Sequence, residues 1–484
     1  MNSQSGEQKR FGRDVFIATL AQLARTGRNV LLIPLITSNL SIAHYGEWEM
    51  LGTAIAFLTP WLTLGLAGAL IRFLPGTSSE EIREGFYSIF FFISGSCVLI
   101  GGLLFSCNDL FDQYTPLASL QRNILAVIVV LVATILLGIV QTYYRAFRRM
   151  LAHSTLVLSQ HFGEAVLLFY LIQGGAPLSS ALWALAATRV GIMIVGLGGI
   201  VREIGIIWPR FDRLRTYISY SLPLMPNALF YRLYDSADRF FIFAFVGSDA
   251  VGKYAAIYLA GSLFTTIVSP IHTVLLPAMA ELWNKGRQGE IALYMEQVIR
   301  FSALILIPSV MGVALLAEPL LGILIGEHAS AEEKNYALIC ISFAVFSFGI
   351  PWGDLLAVAG KTRQLFILNG TLAGINILLN FLLIPDWGIL GAVCSTLACH
   401  ILFTIVSYSS IQNVLPFNIP WRQLLLCFVC SFFAVTSLYF IVIKLTIVLS
   451  LIISCAVYTF LLIILGVINK NDTQFFFSAL GIKR

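Results

Sequence analysis

The chain has 484 residues, of which 58% are hydrophobic and only 11% are charged. Soluble domains carry about 25% charged residues, so this composition excludes most classes of soluble enzyme. The net charge of +5 comes from basic residues scattered in pairs and triplets, which argues against a nucleic-acid partner.

Fourteen apolar stretches follow one another along the chain, and little lies between them. Each is long enough to cross a bilayer, which takes roughly 20 residues of helix. Because the apolar runs are continuous rather than alternating, we predict helices and not barrel strands. The fold class is therefore an all-α integral membrane protein with 14 transmembrane helices. The predicted spans are 14–38, 46–73, 85–106, 120–141, 151–173, 179–201, 217–246, 254–280, 297–317, 335–358, 364–385, 389–411, 422–443 and 446–468.

The basic residues are sorted between the two sides of the membrane. Most of the 30 Lys and Arg residues fall on alternate connections or at the termini. The positive-inside rule places such connections in the cytoplasm. We therefore predict an inner (cytoplasmic) cell membrane protein with both termini cytoplasmic, which requires an even number of spans. The opposite connections hold only Arg122, Lys253, Lys334 and Lys444.

The two halves of the chain echo each other. Tyr45–Trp48 resembles Val251–Tyr254, and Ala181–Ala186 resembles Gly391–Thr396, at nearly the same offset. This pairing predicts two six-helix lobes related by pseudo-two-fold symmetry, with two extra C-terminal helices. The predicted domains are an N-terminal lobe at 1–201, a cytoplasmic linker at 202–215, a C-terminal lobe at 216–411, and spans 13 and 14 with a tail at 412–484.

Span one carries two arginines near its middle. Arg25 and Arg28 are spaced i,i+3 and so share one helix face. No acid lies within a turn of them, which predicts two unpaired guanidinium groups in a water-filled cavity. Arginine binds phosphate through paired hydrogen bonds, so this cavity suits an anionic ligand.

Span seven carries a second group of charges, interrupted by Pro223 and Pro226. Spans one and seven are the first helices of the two repeats, so we predict that they face each other across the cavity. The alternative is that the charges of span seven neutralise one another along the helix. The candidate substrate-binding residues are Arg25, Arg28, Arg189, Arg232 and Arg239, with Asn227 and Tyr231 as polar cavity residues. The acids Glu164, Asp235, Asp238 and Asp354 either pair with arginines or bind a coupling H⁺ or Na⁺.

Catalytic motifs are missing from the sequence. It contains no Walker-type ATP site, no Gly-x-Ser-x-Gly and no His-Glu-x-x-His. We therefore predict a transporter and not an enzyme, with no cofactor beyond a coupling ion and no metal site.

Several segments together resemble one family. They are Tyr45–Trp48, Tyr144–Ala146, Ser221–Pro226, Asp238–Ile242 and Ile384–Ala392. With the six-plus-six-plus-two plan, the chain resembles the polysaccharide-unit (O-antigen, Wzx-type) flippases. These belong to the multidrug/oligosaccharidyl-lipid/polysaccharide exporter superfamily.

The resemblance implies a V-shaped pair of lobes around a cavity. Such flippases move a polyprenyl-diphosphate-linked oligosaccharide from the cytoplasmic to the outer leaflet by alternating access, for a surface polymer such as lipopolysaccharide O-antigen. The implied partners are this lipid-linked oligosaccharide, membrane lipid, a polysaccharide polymerase and a chain-length regulator. The two-lobed plan is compatible with a working monomer.

Three alternatives remain. A multidrug or cation antiporter of the same superfamily usually has twelve spans. A peptidoglycan-precursor flippase also has fourteen, but tends to carry more arginines across its cavity. A membrane-embedded glycosyltransferase or polymerase normally has a large catalytic loop, which this sequence lacks.

Overall fold

The computed structural model of the protein describes residues 24–106, 123–442 and 447–467. Within these ranges the regular structure is entirely helical, and no strand occurs. The first part of predicted span one, residues 14–23, lies outside the described residues. The all-helical prediction is confirmed for the described part of the chain.

Seventeen α-helices can be traced along these ranges, and two short 3₁₀ turns interrupt them at Leu222–Leu224 and Gly326–His328. The first nine helices are α1 (24–39), α2 (Ile42–Thr63), α3 (Leu66–Phe73), α4 (Ser79–Ser106), α5 (Ile124–Ala146), α6 (Met150–Gln173), α7 (Leu178–Ile204), α8 (Leu214–Ser221) and α9 (Met225–Phe245). The others are α10 (Ser248–Asn284), α11 (Gln288–Leu315), α12 (Ala317–Ile325), α13 (Ala329–Val358), α14 (Thr362–Trp387), α15 (Ile389–Gln412), α16 (Trp421–Val442) and α17 (Ile447–Ile464).

Nine helices of the described ranges are long and apolar enough to cross a membrane, or ten if the bent pair α2–α3 is one span. The helix α9 is excluded by its four charged side chains, Arg232, Asp235, Asp238 and Arg239. Of predicted span one, only the part from residue 24 onward is described, and α16 and α17 contribute the shorter apolar segments Trp421–Ser437 and Ile452–Ile464. A multi-pass membrane protein is therefore confirmed, and the count of fourteen remains a prediction.

The second predicted span is broken in the structure. The chain turns by 56° between α2 and α3, where Leu64 (φ 46°) and Gly65 (φ 71°) adopt left-handed backbone conformations. A β-carbon at position 65 would also lie 3.1 Å from the carbonyl oxygen of Ser221. Glycine satisfies both the backbone angle and the close approach.

Predicted span seven is interrupted at its prolines. The helix α8 ends at Ser221, a 3₁₀ turn follows, and α9 begins at Met225. A proline removes a backbone donor and clashes with the preceding turn of an α-helix. The predicted interruption at Pro223 and Pro226 is therefore confirmed.

The chain divides into two compact units, whose boundary falls between Gly252 and Lys253 in the first turns of α10. In the first unit, described from residue 24, α5 packs against α4 and α7, α6 packs against α7, and α2 packs against α9. In the second unit, described to residue 467, α15 packs between α13 and α14, and α11 packs against α16. Predicted span seven thus lies in the first unit.

Two glycines from the echoed sequence motifs touch each other in the first unit. A β-carbon at Gly46 would lie 1.9 Å from the carbonyl oxygen of Ser248 and 2.9 Å from the nitrogen of Gly252. A β-carbon at Gly252 would in turn lie 2.2 Å from the carbonyl oxygen of Ile42. The start of α2 and the start of α10 therefore approach backbone to backbone, which only residues without a side chain permit.

Candidate functional site

A buried carboxylate lies at the centre of the first unit. The side chain of Glu164 on α6 has no exposed surface. Arg189 Nε on α7 donates to its Oε1 at 2.7 Å, and Gln160 Nε2 donates to the same oxygen at 3.2 Å. Arg28 Nη1 on α1 lies 3.0 Å from its Oε2. We call these three charged residues the Glu164 cluster.

Neutral polar side chains extend the Glu164 cluster to a fourth helix. Thr134 on α5 accepts a hydrogen bond from Arg189 Nη1. Gln141, also on α5, donates to Gln160 Oε1 at 3.0 Å. His161 Nδ1 lies 3.9 Å from Glu164 Oε2. Buried charges are stable only when paired and hydrogen-bonded, and this network supplies both kinds of partner to Glu164.

The two arginines of the cluster are held differently, although each side chain is only 11% exposed. Arg189 donates hydrogen bonds to both Glu164 and Thr134. Within the described ranges Arg28 forms no side-chain hydrogen bond, and its contact with Glu164 is a close ion pair without hydrogen-bond alignment. The guanidinium of Arg28 therefore keeps its donors available.

The expectation that both arginines of span one are unpaired is wrong for Arg28. Its acid partner Glu164 comes from α6, and only the packing of the helices brings the two side chains together. For Arg25 the expectation agrees with the structure. Arg25 is exposed, and no described carboxylate lies within 4.0 Å of it.

The charged side chain that acts on Arg25 is also positive. Arg25 lies within electrostatic reach of Arg232 on α9, whose side chain is 45% exposed. Like charges repel, so the two guanidinium groups favour an anion between or beside them. This juxtaposition of α1 and α9 lies within the first unit, and the prediction that spans one and seven face each other across a cavity remains a prediction.

The charges of α9 are also paired along the helix. Arg232 Nη1 lies 4.0 Å from Asp235 Oδ2, and Arg239 Nη1 lies 3.5 Å from Asp238 Oδ1. The second pair is almost fully buried, whereas the first is accessible. The alternative that these charges neutralise one another therefore describes Arg239 and Asp238 better than Arg232 and Asp235.

The remaining candidates occupy separate places. Asn227 and Tyr231 are both exposed on α9. Asp354 lies on α13 in the second unit, partly buried, and the described ranges place no lysine or arginine within 4.0 Å of it. The structure thus brings eight of the charged candidates together in the first unit and leaves Asp354 apart from any ion pair.

Some polar neighbours of the site were missed by sequence reasoning. Glu49 on α2 lies within electrostatic reach of Arg28, but its place just after Glu47 suggests the polar entry of a span. Gln160 and His161 precede Glu164 by one helical turn, and that i,i+3/i,i+4 spacing was an available signal.

The second unit buries a neutral polar network. On α14, Asn380 Nδ2 donates to Asn376 Oδ1 at 2.9 Å, and Asn376 Nδ2 donates to Ser395 Oγ of α15 at 3.3 Å. Ser342 and His400 Nδ1 are hydrogen-bonded at 2.6 Å between α13 and α15. In the described ranges, no group of three His, Cys, Asp or Glu residues could hold a metal ion.

Comparison with known families gives two matches. The profile of the family described as polysaccharide biosynthesis protein matches residues 11–283, which is more than half of the chain. The profile of the lipid II flippase MurJ matches residues 239–466.

Two curated relatives are similar to this chain along much of its length. An uncharacterized membrane protein of Methanocaldococcus jannaschii is 21% identical over 85% of this chain and 86% of its own length. A probable low-salt glycan biosynthesis flippase, Agl15 of Haloferax volcanii, is 21% identical over 54% of this chain and 55% of its own.

The structure of the lipid II flippase MurJ in an inward closed conformation is similar, with a TM-score of 0.74 at 14% identity, over 93% of this chain and 97% of that one. The Vibrio cholerae transporter VcmN, of the multidrug transporter family MATE, gives 0.63 at 13% identity, over 86% and 98%. The chain therefore belongs to the polysaccharide biosynthesis protein family, and the proteins it resembles are named flippases and transporters rather than enzymes.

Proposed function

We propose that the protein moves a polyprenyl-diphosphate-linked oligosaccharide from the cytoplasmic to the outer leaflet by alternating access. The observation that carries the proposal is the pair of arginines on α1. Arg25 has no described carboxylate partner, and Arg28 has no hydrogen bond within the described ranges. Both belong to a helix of a multi-pass membrane protein.

Arginines in this state are costly in a membrane. A charged side chain at the bilayer centre costs about 2.5–3.5 kcal/mol on insertion scales, so it usually faces water or a partner. A diphosphate supplies several anionic oxygens, which guanidinium groups bind in pairs. The polyprenyl tail would stay in the bilayer while the head group enters the polar interior.

The balance of charge also favours an anionic substrate. The first unit carries five candidate arginines against three candidate acids, namely Glu164, Asp235 and Asp238. A site for cationic drugs would show the opposite balance. The multidrug antiporter is therefore the weaker alternative, although transporters of that kind share the fold.

The family and relatives support a glycan substrate. The family description names polysaccharide biosynthesis, and the printed name of Agl15 describes a glycan biosynthesis flippase. A peptidoglycan-precursor flippase is the second candidate, because the MurJ profile matches 239–466 and a MurJ structure shares the fold. In both candidate functions, the transported substrate is a lipid that carries a diphosphate.

The remaining details of this function are part of the same proposal. They are an inner-membrane location with cytoplasmic termini, an O-antigen-type product, cooperation with a polymerase and a chain-length regulator, and activity as a monomer. Coupling to H⁺ or Na⁺ is proposed for Asp235 and Asp238. If Asp238→Asn flips the substrate at the full rate and without dependence on an ion gradient, the proposed coupling is wrong.

The function is tested in a strain that lacks the gene. We expect a polyprenyl-diphosphate oligosaccharide to accumulate in the lipid extract while the surface polymer is lost. The wild-type gene should reverse both effects, whereas Arg25→Ala/Arg28→Ala should not. Arg149→Gln, which breaks an exposed ion pair with Glu203, is the matched control and should complement.

The other possible results of this test distinguish between the candidate functions. Complementation by the double variant would show that the two arginines are not needed for substrate binding, while the flippase function would still stand. A strain with no accumulated lipid and an intact surface would instead favour the antiporter, which drug-efflux measurements would then test. Accumulation of the peptidoglycan precursor would identify the second candidate.

A further inference from the structure

We propose that Glu164 is a positioning residue for the transported diphosphate, acting through Arg28. In this role the carboxylate holds Arg28 at the wall of the site while the site is empty. When the substrate binds, the guanidinium of Arg28 leaves Glu164 and pairs with the phosphate. When the substrate leaves, Arg28 pairs with Glu164 again. This inference rests on the proposed function, because it requires a phosphate-bearing head group.

The two oxygens of Glu164 are used unequally. Oε1 accepts aligned hydrogen bonds from Arg189 and Gln160, at 2.7 and 3.2 Å. Oε2 lies 3.0 Å from Arg28 Nη1 but accepts no hydrogen bond from any residue that the structure describes. A charge-assisted hydrogen bond is markedly stronger than an unaligned contact of the same charges. Arg28 is therefore attracted to Glu164 without being locked to it.

The carboxylate itself is fixed in place. Arg189, which donates to Oε1, also donates to Thr134 on α5. Gln160 accepts a hydrogen bond from Gln141, which lies on α5 as well. The side chain of Glu164 has no exposed surface. Glu164 therefore cannot follow Arg28, and any exchange of partners must come from movement of the Arg28 side chain.

Arg28 has the donors that such an exchange needs. A guanidinium group carries five N–H donors, and within the described ranges none of those on Arg28 makes a hydrogen bond. A diphosphate oxygen would supply aligned acceptors. Because Arg28 leaves one anion for another, the loaded and empty states differ less in free energy than they would if Arg28 were unpaired when empty.

This balance matters for a transporter, because a substrate that binds too tightly is not released. Without Glu164, the empty state would leave the guanidinium of Arg28 without its ion-pair partner, which is unfavourable for a buried charge. The substrate would then serve as the missing counter-charge. The inference thus predicts that removing the charge of Glu164 strengthens binding and slows turnover.

The test uses the full-length protein in nanodiscs for binding and in proteoliposomes for flipping, with undecaprenyl diphosphate as the probe. For Glu164→Gln we expect affinity to rise by about fivefold or more, the usual scale of coupling between two sites. Turnover at saturating probe should fall by a similar factor. Glu164→Asp keeps the charge and should restore much of the wild-type balance.

A second variant guards against simple unfolding. Glu164→Gln/Arg189→Gln removes one charge of each sign, so the buried net charge stays that of the wild type. It should reproduce the tighter binding and slower turnover of the single variant. The matched control is Glu203→Gln, which removes an acid from the exposed Arg149–Glu203 pair and should change neither quantity.

The outcomes separate this inference from the proposed function. If the wild type binds undecaprenyl diphosphate no better than undecaprenol, the proposed function itself fails. If the wild type binds the diphosphate but folded Glu164→Gln matches it in affinity and turnover, only the inference fails. A parallel loss of affinity and turnover in folded Glu164→Gln would also overturn the inference, because it indicates structural support alone.

Discussion

The two units of the protein bury polarity in different chemical forms. In the first unit, Glu164 and Arg189 are buried as an ion pair with Arg28 beside them, and Asp238 and Arg239 are buried on α9. In the second unit, the network between α14 and α15 consists of amides and hydroxyls. Glu332, at the start of α13, is the second unit's buried charged residue among those the structure describes.

This contrast indicates that the first unit is the one suited to binding a charged ligand. Neutral amides and hydroxyls join helices in a membrane at modest cost. Buried charges contribute little net stability, since desolvation can exceed the gain from pairing. Their concentration in the first unit is therefore better explained by a ligand than by packing.

The largest effect should come from removing the cations of α1. We expect Arg25→Gln/Arg28→Gln to lower flipping by roughly 100-fold or more, because each charge-assisted hydrogen bond to phosphate contributes about 1.5–3 kcal/mol. Flipping of a fluorescent lipid-linked diphosphate in proteoliposomes measures the effect. Near-normal transport by the folded variant would contradict this interpretation of the two units, since the charges of the first unit would then not bind the substrate.

The next effect tests backbone packing in the first unit. Gly46→Ala should lower the free energy of unfolding by about 1–3 kcal/mol or more, because the added methyl group meets a backbone carbonyl that cannot move aside. Thermal unfolding in detergent measures the change. Gly191→Ala is the matched control, because among the described residues no atom beyond the adjoining backbone of its own helix lies within 4 Å of its added β-carbon. An equal loss in both variants would contradict the close approach.

A third change addresses the neutral network of the second unit. Asn376→Leu should cost about 1–3 kcal/mol of stability, because its partners on α14 and α15 lose their hydrogen bonds. Affinity for a lipid-linked diphosphate should stay unchanged. Ser407→Ala is the control, since the buried Ser407 hydroxyl has no hydrogen-bond partner in the described ranges. A large loss of affinity in folded Asn376→Leu would show that the second unit also binds substrate.

The smallest effect is expected at the protein surface. Arg149→Gln breaks the 2.5 Å ion pair with Glu203, and exposed pairs of this kind are worth about 0–1 kcal/mol. Unfolding and transport should both stay near wild-type values. A strong loss of transport would show that charge outside the buried clusters also matters, which would contradict the contrast between buried and surface ions.

Much of the architecture could be predicted from the sequence. Long apolar runs predict the helices because lipid leaves the backbone no other partner than itself. The observed helices agree with the predicted spans to within several residues at most ends. The proline pair 223 and 226 predicts the interruption of span seven, and i,i+3 spacing places Arg25 and Arg28 on one face. These are local properties, fixed by residues within a few turns of one another.

Other features depended on the tertiary structure. The break at Leu64 and Gly65 is associated with the close approach of Ser221, and the contact of Gly46 with Gly252 joins helices distant in sequence. The pairing of Arg28 with Glu164 likewise requires that α1, α6 and α7 pack together. The order of the residues alone predicts that charges lie inside a membrane protein. Only the packing decided which of them are neutralised, because the energy of an ion pair depends on the distance between its atoms and not on their separation along the chain.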